Sequence, residues 1–125
     1  TAFRRARHVV TENARTLEMA AELAIGDYAA IGNMMQTSHQ SMRDDFEITL
    51  PEIDRLVENI NSSIDGEGGA RMTGGGFGGC VVAICPEGKV DAVYAGLSAH
   101  WEKVGRESPL QTVITPAQGA TVIHL

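Results

Sequence analysis

RMTGGGFGGC, residues 71–80, is the stretch that decides the fold, since five of its ten residues are glycine and the apolar run VVAIC follows at once. Its glycines fit the G-x-G-x-x-G pattern, but a dinucleotide fingerprint needs a strand before the glycines and a helix after them. The apolar run ends before Pro86 after five residues, which suits a strand rather than a helix. A Walker-type phosphate loop is excluded as well, because no Gly-Lys-Ser/Thr follows. The stretch therefore predicts a strand, a glycine loop and a second strand.

Two interpretations of this glycine loop are open from composition alone. Glycines can adopt positive φ and expose successive backbone N–H groups, which bind an anion without any cationic side chain. The alternative is a tight connection whose glycines pack closely against a bulky neighbour. The loop composition favours neither.

Upstream of the loop, hydrophobic periodicity predicts three helices. The first spans residues 4–25, ends at Gly26 and is followed by Asp27, a favourable N-cap for the second. The third begins at Pro51, which suits a first helical turn. We interpret the methionine-rich stripe of the second helix as core rather than as a cofactor site. The expected core-facing positions are Val10, Leu17, Ala21 and Ala24 in the first helix, Tyr28, Ile31, Met35 and Met42 in the second, and Ile53, Leu56, Val57, Ile60 and Ile64 in the third.

The second half of the chain predicts a sheet. Strands are expected at 70–73 and 80–85, the latter fully apolar and central, and again at 112–115 and 120–125. The expected fold is α+β, with a mainly antiparallel sheet and helices packed on one face, in one domain over residues 1–125. A helix between the two pairs of strands is expected to bury Val90, Val93, Leu97, Trp101 and Val104.

Composition and charge argue against two classes of partner. The net charge of -6 disfavours nucleic acid, because a phosphate backbone requires a basic protein face. No apolar stretch approaches the roughly 20 residues that span a bilayer, and the start lacks a signal peptide's apolar core, so we expect no membrane contact. Because the first residue is Thr, we expect the chain to be part of something longer.

The two cysteines indicate a reducing compartment. Cys80 and Cys85 are five residues apart, so a strand places them on opposite faces and roughly 16 Å from each other, beyond disulfide reach. We interpret both as buried thiols and expect a cytoplasmic location. The same separation disfavours a metal pair, and no metal site is expected in this chain.

Three polar groups attract a functional interpretation but fit a structural one. One is a basic cluster, interpreted as a solvated helix face or, alternatively, as an anion or partner contact: Arg4, Arg5, Arg7 and His8. Asp44 and Asp45 suggest metal or acid–base chemistry, but adjacent carboxylates on a helix point about 100° apart. We expect a structural hinge there, with Arg43 paired to a nearby acid. His39 is interpreted as a hydrogen-bonded structural histidine.

Three stretches together resemble one protein family. RMTGGGFGGC is similar to the third signature motif of the GHMP small-molecule kinase superfamily, which includes galactokinase, homoserine kinase, mevalonate kinase and phosphomevalonate kinase. SHQSMRDDFEITLPEID, residues 38–54, closely resembles the galactokinase segment upstream of that motif. RRARHVVTENART, residues 4–16, resembles the segment upstream of both. Order and spacing also fit, so the resemblance covers nearly the whole chain and is specific for the galactokinase family.

The resemblance implies a two-lobed kinase with its active site between the lobes, of which this chain is the C-terminal, ferredoxin-like lobe. The full enzyme would use ATP and Mg²⁺ to phosphorylate galactose at its 1-hydroxyl. In the family, the sugar-binding motif, the main phosphate loop, the catalytic aspartate and its arginine partner all lie upstream, and none is in this sequence. We therefore assign no catalytic residue here, expect the isolated chain to be inactive, and expect the missing N-terminal lobe to be its partner.

By the same resemblance, the glycine loop faces the active-site cleft, where backbone N–H groups would meet charge that develops during phosphoryl transfer. Met72 and Thr73 would orient the loop from the preceding strand, and Phe77 would anchor it by packing. The loop residues assigned in this way are Gly74, Gly75, Gly76, Phe77, Gly78 and Gly79.

Three alternatives stay open at this point. The chain could belong to a non-catalytic galactokinase-like sugar sensor or co-regulator, or to another GHMP kinase acting on a different small alcohol. A self-contained anion-binding module is the third, and nucleotide binding by the isolated chain would favour it.

Overall fold

The computed structural model describes residues 1–122, beginning with two helices joined by Gly26 and Asp27. Helix α1 (Ala2–Ile25) ends at Gly26, whose φ of 74° is the left-handed conformation that glycine adopts without strain. Asp27 then caps α2 (Tyr28–Ser41) by accepting a 2.9 Å hydrogen bond from the N–H of Ala30. The predicted stop and cap are both confirmed.

Helix α2 does not simply end but continues into a π-helical turn, Met42–Phe46. Glu47 leaves this turn in the left-handed conformation, with φ 58°. An extended segment follows, and α3 (Pro51–Ile64) begins with the proline at its first turn, where no N–H is needed. The predicted break and helix start are confirmed, and π-turns of this kind are frequent at functional sites.

The glycine loop joins two antiparallel strands. Strand β1 (Gly69–Thr73) pairs with β2 (Cys80–Ile84), and Thr73 lies opposite Cys80 at the base of the loop. A short 3-10 turn (Glu87–Lys89) leads into α4 (Val90–Lys103). The predicted strand–glycine loop–strand arrangement is confirmed.

Helix α3 packs on the hairpin and α4 packs on α3, and the three together form the main core. That core contains Val57, Ile60, Ile64, Ala70, Val93 and Leu97. A second cluster, Met42, Ile53 and Met72, joins the π-turn and α3 to the end of β1 just before the loop. The α+β class is confirmed, with a two-stranded antiparallel sheet in residues 1–122.

The predicted later strands differ from the structure. Residues 112–115 form no strand, residues 120–122 form none either, and 123–125 lie outside the described residues. Segment 109–114 instead lines a groove of about 650 Å³ together with β2, α3 and α4. As a result β2 is an edge strand of the described sheet rather than a central one, and Cys80 is exposed rather than buried.

Helix α1 also packs differently from the prediction. Its apolar stripe is exposed, with Val10 68% and Leu17 77% accessible, whereas His8 on the opposite side is buried. The sequence pattern identifies which side of a helix is apolar but not whether the partner of that side lies in the same chain. The end of α4 shows a smaller difference, because Val104 is 49% exposed while Val93 and Leu97 are buried.

Candidate functional site

The glycine loop, residues 74–79, has a backbone that few other residues could form. Gly74, Gly76, Gly78 and Gly79 have φ values of 95°, 87°, 128° and 97°, and Phe77 has φ 57°. Residues with a Cβ rarely adopt this region, so four of the glycines are required by backbone conformation. Gly75 is the exception, since its φ is not positive.

One point of the loop is pressed against the segment that follows the π-turn. A Cβ on Gly76 would lie 2.7 Å from the Cβ of Ile48 and 2.8 Å from its carbonyl oxygen. The N–H of Phe77 donates a 2.7 Å hydrogen bond to that same oxygen. Ile48 therefore supports the middle of the loop, and Gly76 is the residue that allows the close approach.

Phe77 does not anchor the loop in the way the sequence predicted. Its ring is 70% exposed, so the expected packing is wrong for contacts within this chain. The anchor is its backbone N–H, which bonds to Ile48. An aromatic side chain in a loop suggests packing, but sequence offers no sign that the amide rather than the ring makes the contact.

The rest of the loop is open. A Cβ added to Gly74, Gly75 or Gly78 would meet no atom within 4 Å. The N–H groups of Gly75, Gly76 and Gly78 have no hydrogen-bond partner within the described residues. The close-packing interpretation therefore applies at Gly76, while the remaining loop has the free donors that an anion site requires.

Met72 and Thr73 connect the loop to the core in different ways. Met72 is fully buried and packs with Met42 and Ile53, whereas Thr73 is exposed and holds the loop base by pairing with Cys80. Met72 is thus the fixed point from which the loop leaves the sheet.

Side chains cap the edge of β1 that does not pair with β2. The N–H of Ala70 donates to Oδ1 of Asn61 at 2.8 Å, and the N–H of Met72 donates to Nδ1 of His39 at 3.2 Å. These residues are two apart, as expected for amides on one edge of a strand. An uncovered edge would leave these donors unpaired or available to another strand, so α2 and α3 both fix β1 and protect it.

The basic cluster on α1 holds the π-turn. Arg7 forms a charged pair with Asp45, and Arg4 and Arg5 reach Glu47 at 3.0 and 2.6 Å. The hydrogen bonds from the Arg7 guanidinium keep the pKa of Asp45 below its ordinary value. Neither a solvated helix face nor an anion or partner contact describes the cluster fully, because its guanidinium groups are partly exposed and also pair with carboxylates of the same chain.

The other members of this region also have structural partners. Arg43 pairs with Asp44 at 2.8 Å on the surface, as predicted. The buried Ser41 hydroxyl donates to Asp45 at 3.1 Å and so accepts from Nδ1 of His8 at 3.0 Å. Because its proton points toward a carboxylate and not toward a histidine base, this serine is not arranged as a nucleophile.

A second polar contact, which the sequence analysis missed, joins α1 directly to β1. Glu12 accepts from Arg71 at 2.8 Å and from the Ser38 hydroxyl at 2.5 Å. Burial raises the pKa of Glu12, but the hydrogen bonds from Ser38 and Arg15 and the charge of Arg71 outweigh it, and the pKa lies below its ordinary value. Arg71 and Glu12 are 59 residues apart, so no local sequence pattern indicates their contact.

The three stretches that resemble one family therefore meet in space. Segment 4–16 holds segment 38–54 through the arginine contacts, and segment 38–54 holds segment 71–80 through Ile48 and His39. Together they form a scaffold that presents the glycine loop, in which positive-φ residues follow one another most densely.

Within residues 1–122, no group of three or more His, Cys, Asp or Glu side chains is placed to hold a metal ion. No helix in the described part of the chain is long and apolar enough to cross a bilayer.

The glycine loop with free amides joins the two antiparallel strands of an α+β domain, and this domain is of the C-terminal small-molecule kinase class. The family match is direct: the chain belongs to the family "GHMP kinases C terminal", which matches residues 19–103.

The individual proteins to which the chain is similar include galactokinases of two bacterial species. The chain is 52% identical over 122 residues to a galactokinase of Haemophilus influenzae strain PittEE and 51% identical to one of strain Rd. Each alignment covers 98% of this chain but 32% of the relative, so the chain spans about a third of the length of these relatives. It is also similar to the crystal structure of Lactococcus lactis galactokinase complexed with galactose, with a TM-score of 0.70 and 38% identity over 85% of this chain and 27% of that one.

Proposed function

We propose that this chain is the C-terminal lobe of a galactokinase, whose complete form transfers the γ-phosphate of ATP to the 1-hydroxyl of galactose. The observation that carries the proposal is the convergence of the three galactokinase-like segments on the glycine loop. The 52% identity to galactokinases over nearly the whole chain supports the same conclusion. On this proposal residues 1–125 act as one domain of a longer kinase.

The loop's role in the proposal follows from its chemistry. Residues 74–79 line the active-site cleft close to the phosphates, with Met72 and Thr73 as its supports. Free backbone N–H groups stabilise charge on a transferring phosphoryl group without any rearrangement during the reaction. The absence of Cβ atoms allows the phosphates, or a loop of the other lobe, to approach the backbone. The general base and the main nucleotide loop lie outside this chain, so the isolated chain is inactive.

Magnesium ions do not fit the residues described here. Mg²⁺ is held by carboxylate and phosphate oxygens, and the described residues provide no convergent set of carboxylates. On this proposal the Mg²⁺ that accompanies ATP takes its protein ligands from the rest of the kinase, and this lobe contributes amides only.

The partner of the chain is the remainder of the same kinase. The exposed stripe of α1, Phe3, Val10 and Leu17, is the face on which we place it, because large apolar side chains in a row mark an interaction surface. We also place the kinase in the cytoplasm, since both cysteines are free thiols, as in a reducing compartment.

Sugar-dependent ADP release by the kinase that contains this chain tests the proposal. Galactose, glucose and mevalonate are compared as substrates with Mg-ATP, and the 125-residue chain is assayed in parallel. The expected result is turnover with galactose alone and none by the isolated chain. Turnover by the chain itself would contradict the assignment of catalysis to the other lobe.

The same assay separates the alternatives. Turnover with mevalonate but not galactose indicates another GHMP kinase. A complete protein that binds galactose and ATP without turnover indicates a sugar sensor or co-regulator built on the same lobe.

A further inference from the structure

His39 connects the end of α2 to the strand that carries the glycine loop. The residue is 5% exposed, and its two ring nitrogens have different partners. Nδ1 lies 3.2 Å from the backbone N of Met72, and Nε2 lies 3.1 Å from Oδ1 of Asp54 on α3. A backbone N–H can only donate, so Nδ1 accepts and carries no proton. The ring is therefore neutral, with its proton on Nε2 and directed at Asp54.

The bond from the N–H of Met72 fixes the end of β1 just before the loop. Met72 is fully buried and lies two residues before Gly74, where the positive-φ backbone begins. The middle of the loop is held by a second contact from the same part of the chain, the bond from the N–H of Phe77 to Ile48. Both supports belong to segment 38–54, so this segment positions the loop at its base and at its middle.

Protonation of His39 is incompatible with this arrangement. A proton on Nδ1 would face the Met72 N–H, so two donors would oppose each other and the bond would be lost. Asp54 on α3 and Asp44 on the π-turn favour the imidazolium, whereas Arg43 on the π-turn and Arg71 on β1 oppose it. Burial is the largest influence, and it keeps the pKa of His39 below its ordinary value.

We propose that neutral His39 is a positioning residue for phosphoryl transfer, which holds the glycine loop in place through the N–H of Met72. The residue touches no substrate and acts only through the loop, so this inference rests on the proposed function of the loop. The fixed tautomer explains why a histidine, with one acceptor and one donor on opposite sides of a rigid ring, occupies the position between β1 and α3.

Two substitutions each keep one of the two hydrogen bonds of the ring and remove the other. In His39→Asn the side-chain oxygen lies near the position of Nδ1 and can accept from Met72, while the contact to Asp54 is lost. In His39→Gln the amide reaches toward Asp54, while the Met72 N–H is left unpaired. Because a buried unpaired donor is costly, we expect kcat of the full-length kinase at pH 8 to fall about tenfold more in His39→Gln than in His39→Asn. The KM for galactose should change little in either variant.

The pH profile gives a second readout. The wild-type kinase should lose kcat at acid pH, below the ordinary histidine pKa of about 6.5, and His39→Asn should lack that limb. Asp54→Asn removes the carboxylate that bonds to the ring and favours the imidazolium most strongly, so it should move the limb to lower pH. An acid limb that persists unchanged in His39→Asn would overturn the inference.

A structural readout separates this inference from the proposed function. ¹⁵N NMR of histidine-labelled full-length protein should show His39 with an unprotonated Nδ1 and a protonated Nε2. Hydrogen exchange of the Met72 amide should be slow in wild type and in His39→Asn and fast in His39→Gln. These measurements do not depend on turnover, so they stand even if the protein phosphorylates no sugar. The opposite tautomer, or equal exchange in the two variants, would refute the positioning role.

Discussion

Gly76 and Gly75 are neighbours in the loop, but the structure places them in opposite situations. Gly76 combines a φ of 87° with a Cβ position 2.7 Å from Ile48. Gly75 has no positive φ, and a Cβ added there would meet no atom within 4 Å. Backbone conformation and packing therefore require glycine at position 76 but not at position 75.

The first prediction concerns this pair. Gly76→Ala should lower the free energy of unfolding by about 2–4 kcal/mol, because alanine is strained at this φ and its methyl overlaps Ile48. Gly75→Ala is the matched control and should change it by no more than about 0.5 kcal/mol. Urea denaturation of the full-length kinase measures both. Equal effects of the two substitutions would show that Ile48 does not support the loop.

The second prediction concerns the acid behaviour of Asp45. Its folded pKa is depressed by Arg7, so it contributes stability above the unfolded aspartate pKa of about 3.9 and loses that contribution as pH falls below it. Asp45→Asn should therefore lower the melting temperature at pH 7, and the difference from wild type should shrink below about pH 4.

Asp44 is the control for this measurement, since it pairs with Arg43 on the surface, where such pairs contribute little. Asp44→Asn should leave the melting temperature nearly unchanged at both pH values. A loss in Asp45→Asn that is the same at pH 7 and pH 3 would show that the carboxylate charge is not what holds the π-turn.

At the scale of elements, α2 and the hairpin meet backbone to backbone. A Cβ on Gly32 of α2 would lie 2.0 Å from the carbonyl oxygen of Gly68, and one on Gly69 would lie 2.7 Å from the carbonyl oxygen of Gly32. Gly32 and His39 lie two turns apart on α2 and face the same strand. The glycine contact thus sets the distance at which His39 reaches Met72.

The third prediction follows from a conflict between helix propensity and packing at Gly32. In a free helix, Gly→Ala stabilises by about 1 kcal/mol. Here the new methyl would overlap backbone that cannot move aside, so Gly32→Ala should destabilise by about 3 kcal/mol. Gly96→Ala in α4 is the control. The atom nearest its Cβ position is the Ser63 hydroxyl, 2.3 Å away, which can rotate aside, whereas the backbone that faces Gly32 cannot. A gain in stability for Gly32→Ala, measured by urea denaturation, would contradict the observed packing.

Elements marked by local chemistry were predictable from the sequence. Gly26, Asp27 and Pro51 end, cap and start helices through their own backbone and side-chain properties, so their neighbours matter little. Strand formation at residues 112–115 depends on a pairing partner that local sequence does not specify, and that prediction was wrong.

At the scale of the whole molecule, the candidate site was predictable only in part. The loop residues were visible as a glycine-rich stretch, but their supports, Ile48 and His39, contact it from segments far earlier in the chain. No spacing pattern connects His39 to Met72, which is 33 residues away. The predicted core face of α1 was wrong for a related reason. We propose that the residues that pack on this face belong to the rest of the kinase, which the sequence of this chain does not contain.

The exposed stripe of α1 gives the last prediction. Val10 and Leu17 lie two turns apart and are 68% and 77% exposed in this chain, yet both are residues that usually find a buried position. If the rest of the kinase packs on this face, burying each of them stabilises the complete protein by roughly 1.5–3 kcal/mol. The double variant Val10→Lys/Leu17→Lys should therefore lower the unfolding free energy of the full-length kinase by about 3 kcal/mol or more. Glu18→Lys, an exposed polar position on the same helix, controls for the added charge and should have little effect. A double variant that is no less stable than the control would place the other lobe on a different face of this domain.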